Sequence, residues 1–228
     1  MTDFHTHVLP QIDDGSKSVE QSVEMLKMLA KQGVDTVYAT PHFRADIYSI
    51  DEFIKVREES LKKLSKAMKG GDYPKIKLGA EVFLSSDLIT MDNIDKLCIE
   101  GTNLLLVEMP YTGWTFSHLN YIEQLLASYN IVPVIAHIDR YLYPHTPETI
   151  KALLDMEVMV QCNADSIIRW TTRYKLLKMI KKGQIDFIGS DCHDTEGRKP
   201  NIAKAIKIIK RHIGAKNIGY FTDNIEMI

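Results

Sequence analysis

The chain has 228 residues, 45% apolar and 25% charged, with a formal net charge of -2. That length suits one generous domain with a full hydrophobic core, and the near-neutral charge excludes the clustered Lys and Arg excess of a nucleic-acid-binding surface. No apolar run is long enough to span a bilayer, no basic-then-apolar leader opens the chain, and the scattered Cys98, Cys162 and Cys192 form no disulfide framework, so no membrane insertion and a cytoplasmic location are expected.

Strand-like and helix-like segments alternate from end to end. A first strand, TDFHTHVL (2–9), precedes an amphipathic helix over 18–33 that stops at Gly33. A second strand over 34–40 leads to a helix over 50–71, with Asp51 as its expected cap and two glycines at its end. Strands follow at 75–83 and 103–109, then a helix over 116–130, a strand over 131–137 and a helix over 146–156. The pattern closes with a strand over 157–163, a helix over 174–183, a strand over 185–191 and a helix over 201–214. Seven strands alternating with helices predict parallel βαβ units. No glycine-rich phosphate loop follows any strand, which favours a closed barrel over an open nucleotide-binding sheet. With no linker or repeat, a single domain over 1–228 is expected.

Polar residues collect at one end of these strands. The first ends in His5 and His7, the second is followed by His42, the third ends at Glu81 and the fourth at Glu108. The fifth ends at His137 and the seventh at Asp191 and His193, so six of seven strands deliver His, Asp or Glu to their C-terminal ends. In parallel α/β barrels that face is where sites are assembled. A buried imidazole or carboxylate without a partner costs several kcal/mol. The four carboxylates Asp14, Glu81, Glu108 and Asp191 would repel one another in one cleft unless cations compensate them. Mixed imidazole and carboxylate donors suit Zn²⁺, Mn²⁺ or Fe²⁺, and so many donors exceed what one ion takes, so two or three ions are expected. His118, His145 and His212 lie outside this pattern and are expected at the solvated surface.

CHDTEGR (192–198) also satisfies the Cys-x5-Arg spacing of thiolate-dependent tyrosine phosphatases. Asp194 and Glu196 within that loop would repel a phosphate dianion, and Pro200 interrupts the helix that should follow. The spacing is therefore read as coincidental.

The ordered set HTH, DDGS, TPH, a strand-end Glu, AHIDR and SDCHD resembles the PHP (polymerase and histidinol phosphatase) superfamily. More closely, MTDFHTHVLPQIDDGS with AHIDRY and SDCHDTEGRKP is similar to the bacterial metal-dependent protein-tyrosine phosphatases of capsule and exopolysaccharide operons. The resemblance implies a distorted (β/α)7 TIM-like barrel holding three divalent ions, with Mn²⁺ foremost. It assigns His5, His7, Glu81 and Asp191 to one ion, and Glu81, Glu108 and His137 to a second. Asp14, His42 and His193 would take the third, with Asp13 ordering the turn, although swapped roles for Asp13 and Asp14 stay open. Arg140 and Arg198 would bind the phosphoryl group as the catalytic arginines.

The expected activity is that of a phosphoric monoester hydrolase: metal-assisted attack of water on the phosphotyrosine of a protein, with a bacterial tyrosine autokinase as partner. Phe43, Tyr111 and Trp114 follow ligand-bearing strands and are candidates to stack on the tyrosyl ring. Asp194 is a candidate proton donor, although a loop role suits it better. Histidinol phosphate or another small phosphomonoester is the alternative substrate. A nuclease is disfavoured by the charge, and a noncatalytic metal module by the two arginines.

Overall fold

The computed structural model describes residues 1–214, apart from the side chains of Ser128 and Tyr129. The last part of the domain expected over 1–228 lies outside these described residues. Nine strands are assigned among the described residues: β1 (Thr2–Thr6), β2 (Thr36–Ala39), β3 (His42–Phe43), β4 (Lys75–Leu78), β5 (Glu81–Phe83), β6 (Leu104–Glu108), β7 (Val132–Ile135), β8 (Met159–Asn163) and β9 (Phe187–Gly189). The helices are α1 (Val19–Lys31), α2 (Ile50–Ala67), α3 (Ser86–Ile89), α4 (Phe116–Tyr129), α5 (Ile138–Tyr141), α6 (Pro147–Leu154), α7 (Ala164–Ile168), α8 (Trp170–Lys181) and α9 (Ile202–Ile213), with a 3₁₀ turn at Ile94–Leu97.

Nine strands reduce to the seven expected because two are interrupted. β2 and β3 are one strand broken at Thr40 and Pro41, and β4 and β5 are one strand broken at Gly79 and Ala80. Pro41 has no N–H for the ladder, yet its carbonyl accepts from Glu81 N at 3.0 Å, so the chains stay adjacent across the break. All pairings are parallel, in the orders β1-β2-β4 and β3-β5-β6-β7-β8-β9. The ring closes where Asp191 N donates to His5 O at 2.8 Å and Thr6 bridges Cys192. Gly189 permits that closure, because a Cβ there would stand 2.5 Å from the His5 Cβ. The product is a curled parallel α/β barrel.

Alternation of side chains along each strand separates two apolar layers. Phe4, Tyr38, Leu104, Leu106, Val134 and Phe187 belong to an inner cluster, where Phe4 stacks on Phe187 with centroids 4.0 Å apart. Leu105, Val107 and Ile135 face the helices in the larger core. Each fully buried side chain of this kind contributes about 1.5–3 kcal/mol. Leu104, Leu106 and Glu108 share one face of β6, so the barrel interior is apolar at depth and acidic at its C-terminal rim.

The helices differ from the expected pattern in three ways. α2 is capped by Ser49, not Asp51: Ser49 Oγ accepts from Glu52 N at 3.4 Å while Glu52 accepts from Ser49 N at 3.1 Å, a complete capping box. α8 begins at Trp170, four residues before the expected start at 174. The opening WTTRY carries residues of modest helix propensity, and Arg173 Nε, donating to Ile167 O at 3.0 Å, ties this turn to α7. α3, α5 and α7 have only four or five residues, too few for a helical period to register in sequence.

Candidate metal centre

The rim brings together all nine residues expected as ligands. Glu81 is the hub. Its Oε2 lies 3.0 Å from His5 Nε2, 3.2 Å from His7 Nε2 and 3.2 Å from His42 Nδ1, while its Oε1 lies 2.7 Å from His137 Nε2. Glu108 approaches His137 at 3.5 Å and His42 at 3.9 Å. Asp14 stands 3.4 Å from both His42 Nε2 and His193 Nε2. Asp191 Oδ1 lies 3.5–3.7 Å from His5, His7 and His193. Among the described residues three groups are compact enough to hold an ion: His7 with Asp14, His42 and His193; His5 with His7 and Glu81; and His42 with Glu81 and Glu108.

These separations fit bound cations. Donors about 2.1 Å from one ion, at tetrahedral or octahedral angles, are about 3.0–3.4 Å apart. The two imidazole nitrogens His5 Nε2 and His7 Nε2 face each other at 3.1 Å, inside that range. His193 points the same way: its Nδ1–H donates to the Asp191 carbonyl at 3.0 Å, which turns a lone pair at Nε2 inward, where that buried atom has no hydrogen-bond partner.

The buried histidines and carboxylates shift one another's titration. Burial penalises an imidazolium, yet Asp13 and Glu81 carry the His7 pKa up to about 10, and Glu108 and Glu81 carry His137 up to about 9. Burial and the neighbouring His7 charge take His193 down to about 4, so it stays neutral. Against the cost of burial, the histidines hold Glu81 well below the usual carboxylate range. Protons on buried histidines thus compensate the carboxylates.

Asp13 and Asp14 have different surroundings. Asp13 accepts from His7 Nδ1 at 2.7 Å, His42 N at 3.0 Å and Gly15 N at 2.9 Å. It therefore fixes the His7 ring with Nε2 toward Glu81, whereas Asp14 points its carboxylate at His42 and His193. Gly15 lets this turn lie against the strand end, because a Cβ there would stand 2.5 Å from the His7 carbonyl.

Both arginines converge on one oxygen. Arg140 Nη2 and Arg198 Nη2 donate to Asp191 Oδ2 at 2.6 and 2.7 Å. Asn163 Nδ2 donates to the same oxygen at 2.8 Å. Asp191, with φ of 53°, and His137, with φ of 33°, adopt left-handed backbone that non-glycine residues seldom occupy, a strain commonly stored at functional sites.

Sequence reasoning missed the contribution of β8, the one strand without an ionisable end. Gln161 and Asn163 stand two apart, the spacing of one strand face. Gln161 Oε1 accepts from His137 N at 2.6 Å, and Gln161 Nε2 donates to Asn163 Oδ1 at 3.0 Å. Asp139 of AHIDR then accepts from Asn163 N at 2.8 Å and Ser166 Oγ at 2.6 Å. The signal was QCN at a strand end: amides orient neighbours there without adding charge.

The remaining candidates fall elsewhere. Phe43 is buried in the core, Trp114 stacks on His145 at 4.0 Å, and Tyr111 is 63% exposed on a different cavity. His145 is thus half-buried under an aromatic ring, and half-buried His118 accepts from Thr115 N at 3.0 Å to cap α4, so neither is the solvated surface residue expected. His212 is exposed. Cys192 is fully buried, and burial with nearby Asp3 pushes its thiol up. Asp194 accepts from Glu196 N at 2.7 Å and Arg198 N at 3.1 Å, so it orders the loop and occupies amides that a thiolate mechanism would need for phosphate.

A cavity of about 510 Å³ opens over these donors. Asp14, His42, Glu81, Glu108, Arg140 and Arg198 line its polar side, and Ile12, Ile47, Tyr48 and Phe83 its apolar side.

Fold and site together define a class: TIM-like parallel α/β barrels with a candidate metal centre of His, Asp and Glu at the C-terminal ends of the strands. The chain belongs to the family described as "Capsular polysaccharide synthesis, CpsB/CapC", whose model matches residues 1–228. It is 28% identical over 240 residues to the tyrosine-protein phosphatase CpsB of Streptococcus agalactiae, covering 100% of this chain and 98% of that protein. It is 28% identical over 239 residues to the tyrosine-protein phosphatase YwqE of Bacillus subtilis, covering 100% of this chain and 91% of that one. Among solved structures, a chain described under crystal structures of YwqE from Bacillus subtilis and CpsB from Streptococcus pneumoniae, unique metal-dependent tyrosine phosphatases, shares the fold with a TM-score of 0.82 at 22% identity, over 95% of this chain and 89% of that chain. Histidinol phosphate phosphatase of Lactococcus lactis, solved with zinc, L-histidinol and phosphate, is more distant, with a TM-score of 0.56 at 15% identity over 92% of each chain. Among the described residues no helix is long and apolar enough to cross a membrane.

Proposed function

We propose that this chain is a metal-dependent protein-tyrosine phosphatase of the cytoplasm, acting on a bacterial tyrosine autokinase that controls capsular or exopolysaccharide synthesis. Two or three Mn²⁺ ions serve as its cofactors. The carrying observation is Glu81 in contact with four imidazoles, joined through Asp191 to two arginines. Family membership along the whole chain supports the same reading.

In this reading His5, His7, Glu81 and Asp191 hold one ion, Glu108 and His137 with Glu81 a second, and Asp14, His42 and His193 the third. When bound, such cations lower the pKa of water and neutralise charge on the phosphoryl oxygens. The chain supplies orientation. Asp13 and the Gln161 amide direct the Nδ1–H groups of His7 and His5 away from the centre, leaving each Nε2 lone pair toward it. Arg140 and Arg198 line the cavity and offer their forks to the phosphate. The Phe83, Ile47 and Ile12 wall accepts the tyrosyl ring, in place of Phe43, Tyr111 and Trp114, which stand outside this cavity. Tyrosinate, with a pKa near 10, leaves without a strong general acid.

Dialysis against a chelator is expected to abolish hydrolysis of a phosphotyrosine substrate, with Mn²⁺ restoring it better than Mg²⁺. Undiminished turnover after complete metal removal would overturn the reading. Asp13→Ala should weaken metal binding by about 10- to 100-fold, measured by titrating Mn²⁺ into the apoprotein. Cys192→Ser is expected to leave kcat within about threefold of wild type with metal content intact, because a buried, protonated thiol does no chemistry. Steady-state kinetics with elemental analysis checks both values.

A further inference from the structure

A second cavity, of about 750 Å³, shares Arg140, Asp191 and Arg198 with the cavity over the donor cluster. We infer that it binds the acidic polypeptide flank of the substrate, next to the phosphotyrosine; this subsite rests on the phosphatase reading above.

Three observations carry the inference. The shared Arg140, Asp191 and Arg198 make the two cavities neighbours, so a chain whose phosphate meets Arg140 and Arg198 from one cavity can lay its neighbouring residues in the other. The volume lies in the upper part of the range for ligand sites, about 300–1,000 Å³, and far exceeds what a phosphate fills. Its wall is also prepared for a peptide. Tyr111 and Tyr143 line it while 63% and 61% exposed, and the exposed Trp170 stands between the lining residues Arg169 and Thr171 in the chain. Large exposed aromatics in one region mark contact surfaces on a protein that otherwise buries them.

Charge selects the occupant. Arg169 and Lys199 stand on the cavity wall. α8 contributes Thr171 and Thr172 to the wall and has no Asp or Glu between Trp170 and Lys181, so it brings no carboxylate to oppose them. The lining carries four cations, Arg140, Arg169, Arg198 and Lys199, against the three carboxylates of Asp139, Asp165 and Asp191; Arg169 pairs with Asp165 and the other two arginines share Asp191, so the cations exceed the carboxylates by one. A wall with this excess of cations beside exposed tyrosines fits glutamate- and aspartate-bearing peptide.

The test compares p-nitrophenyl phosphate with an acidic phosphotyrosine peptide, using Mn²⁺-loaded wild type, Tyr143→Ala, Arg169→Glu and the double variant. The double variant is expected to lose about tenfold or more in kcat/KM on the peptide through KM, while its rate on p-nitrophenyl phosphate stays within about twofold. The single variants take intermediate values, and added salt should raise KM for the peptide only. Unchanged peptide kinetics, or parallel losses on both substrates, would overturn the subsite. Wild type active on p-nitrophenyl phosphate but not on the peptide would overturn it too, leaving the phosphomonoesterase chemistry standing. Inactivity of loaded wild type on both substrates would instead overturn the phosphatase reading, and the subsite with it.

Discussion

Replacing Glu81 with Gln is expected to lower kcat on a phosphotyrosine substrate by on the order of 10³, the scale of losing a central electrostatic element. The substitution keeps the shape of the side chain and removes its charge, so packing around it is preserved. What disappears is the one carboxylate that meets His5, His7, His42 and His137 together. With it goes the charge that keeps two groups of donors together despite their burial. Elemental analysis should then show at least one equivalent of metal lost per chain. A variant that keeps full metal content and wild-type kcat would remove Glu81 from the centre.

Arg140→Ala should lower kcat/KM by on the order of 10², equal to about 2.7 kcal/mol, in line with a charge-assisted hydrogen bond at about 1.5–3 kcal/mol. Metal stoichiometry should stay unchanged. Arg140→Lys should recover little, because an ammonium cannot present a bidentate fork. Arg198→Ala should act in the same direction, and the double variant should fall short of additivity because both guanidinium groups share Asp191 Oδ2. Kinetics with metal analysis on all four proteins decides the matter. If Arg140→Ala strips the metal, the arginine's role is to hold Asp191 in place, not to bind phosphate.

Asp191 explains why those outcomes are separable. One of its oxygens faces His5, His7 and His193 while the other takes both arginines and Asn163, so one side chain couples the donor cluster to the arginine pair. Its left-handed backbone aims it, and the Gly189 contact with His5 lets the last strand approach the first closely enough for that aim to succeed.

Much of this was legible in sequence because it is local. Strand and helix alternation follows from apolar period, so the seven strands were readable where two of them break at Pro41 and Gly79. Donors at strand ends are also local, since strand direction alone carries His5, His42, Glu81, Glu108, His137 and Asp191 to one rim. The Ser49 cap is also local, encoded in SIDE (49–52) by the three-residue spacing of Ser49 and Glu52.

Residue identity therefore determined which donors exist and at which end of a barrel they stand, since both depend on neighbours in the chain. Tertiary structure alone decided which donors are mutual neighbours, that Asp13 orients His7 while Asp14 faces His42 and His193, that Gln161 and Asn163 brace the rim, and that Phe83 replaces Phe43 on the cavity wall. The physical reason is closure: these relations join β1 to β5, β8 and the segment after β9, and their distances are set by register and twist around the ring, which no local pattern encodes.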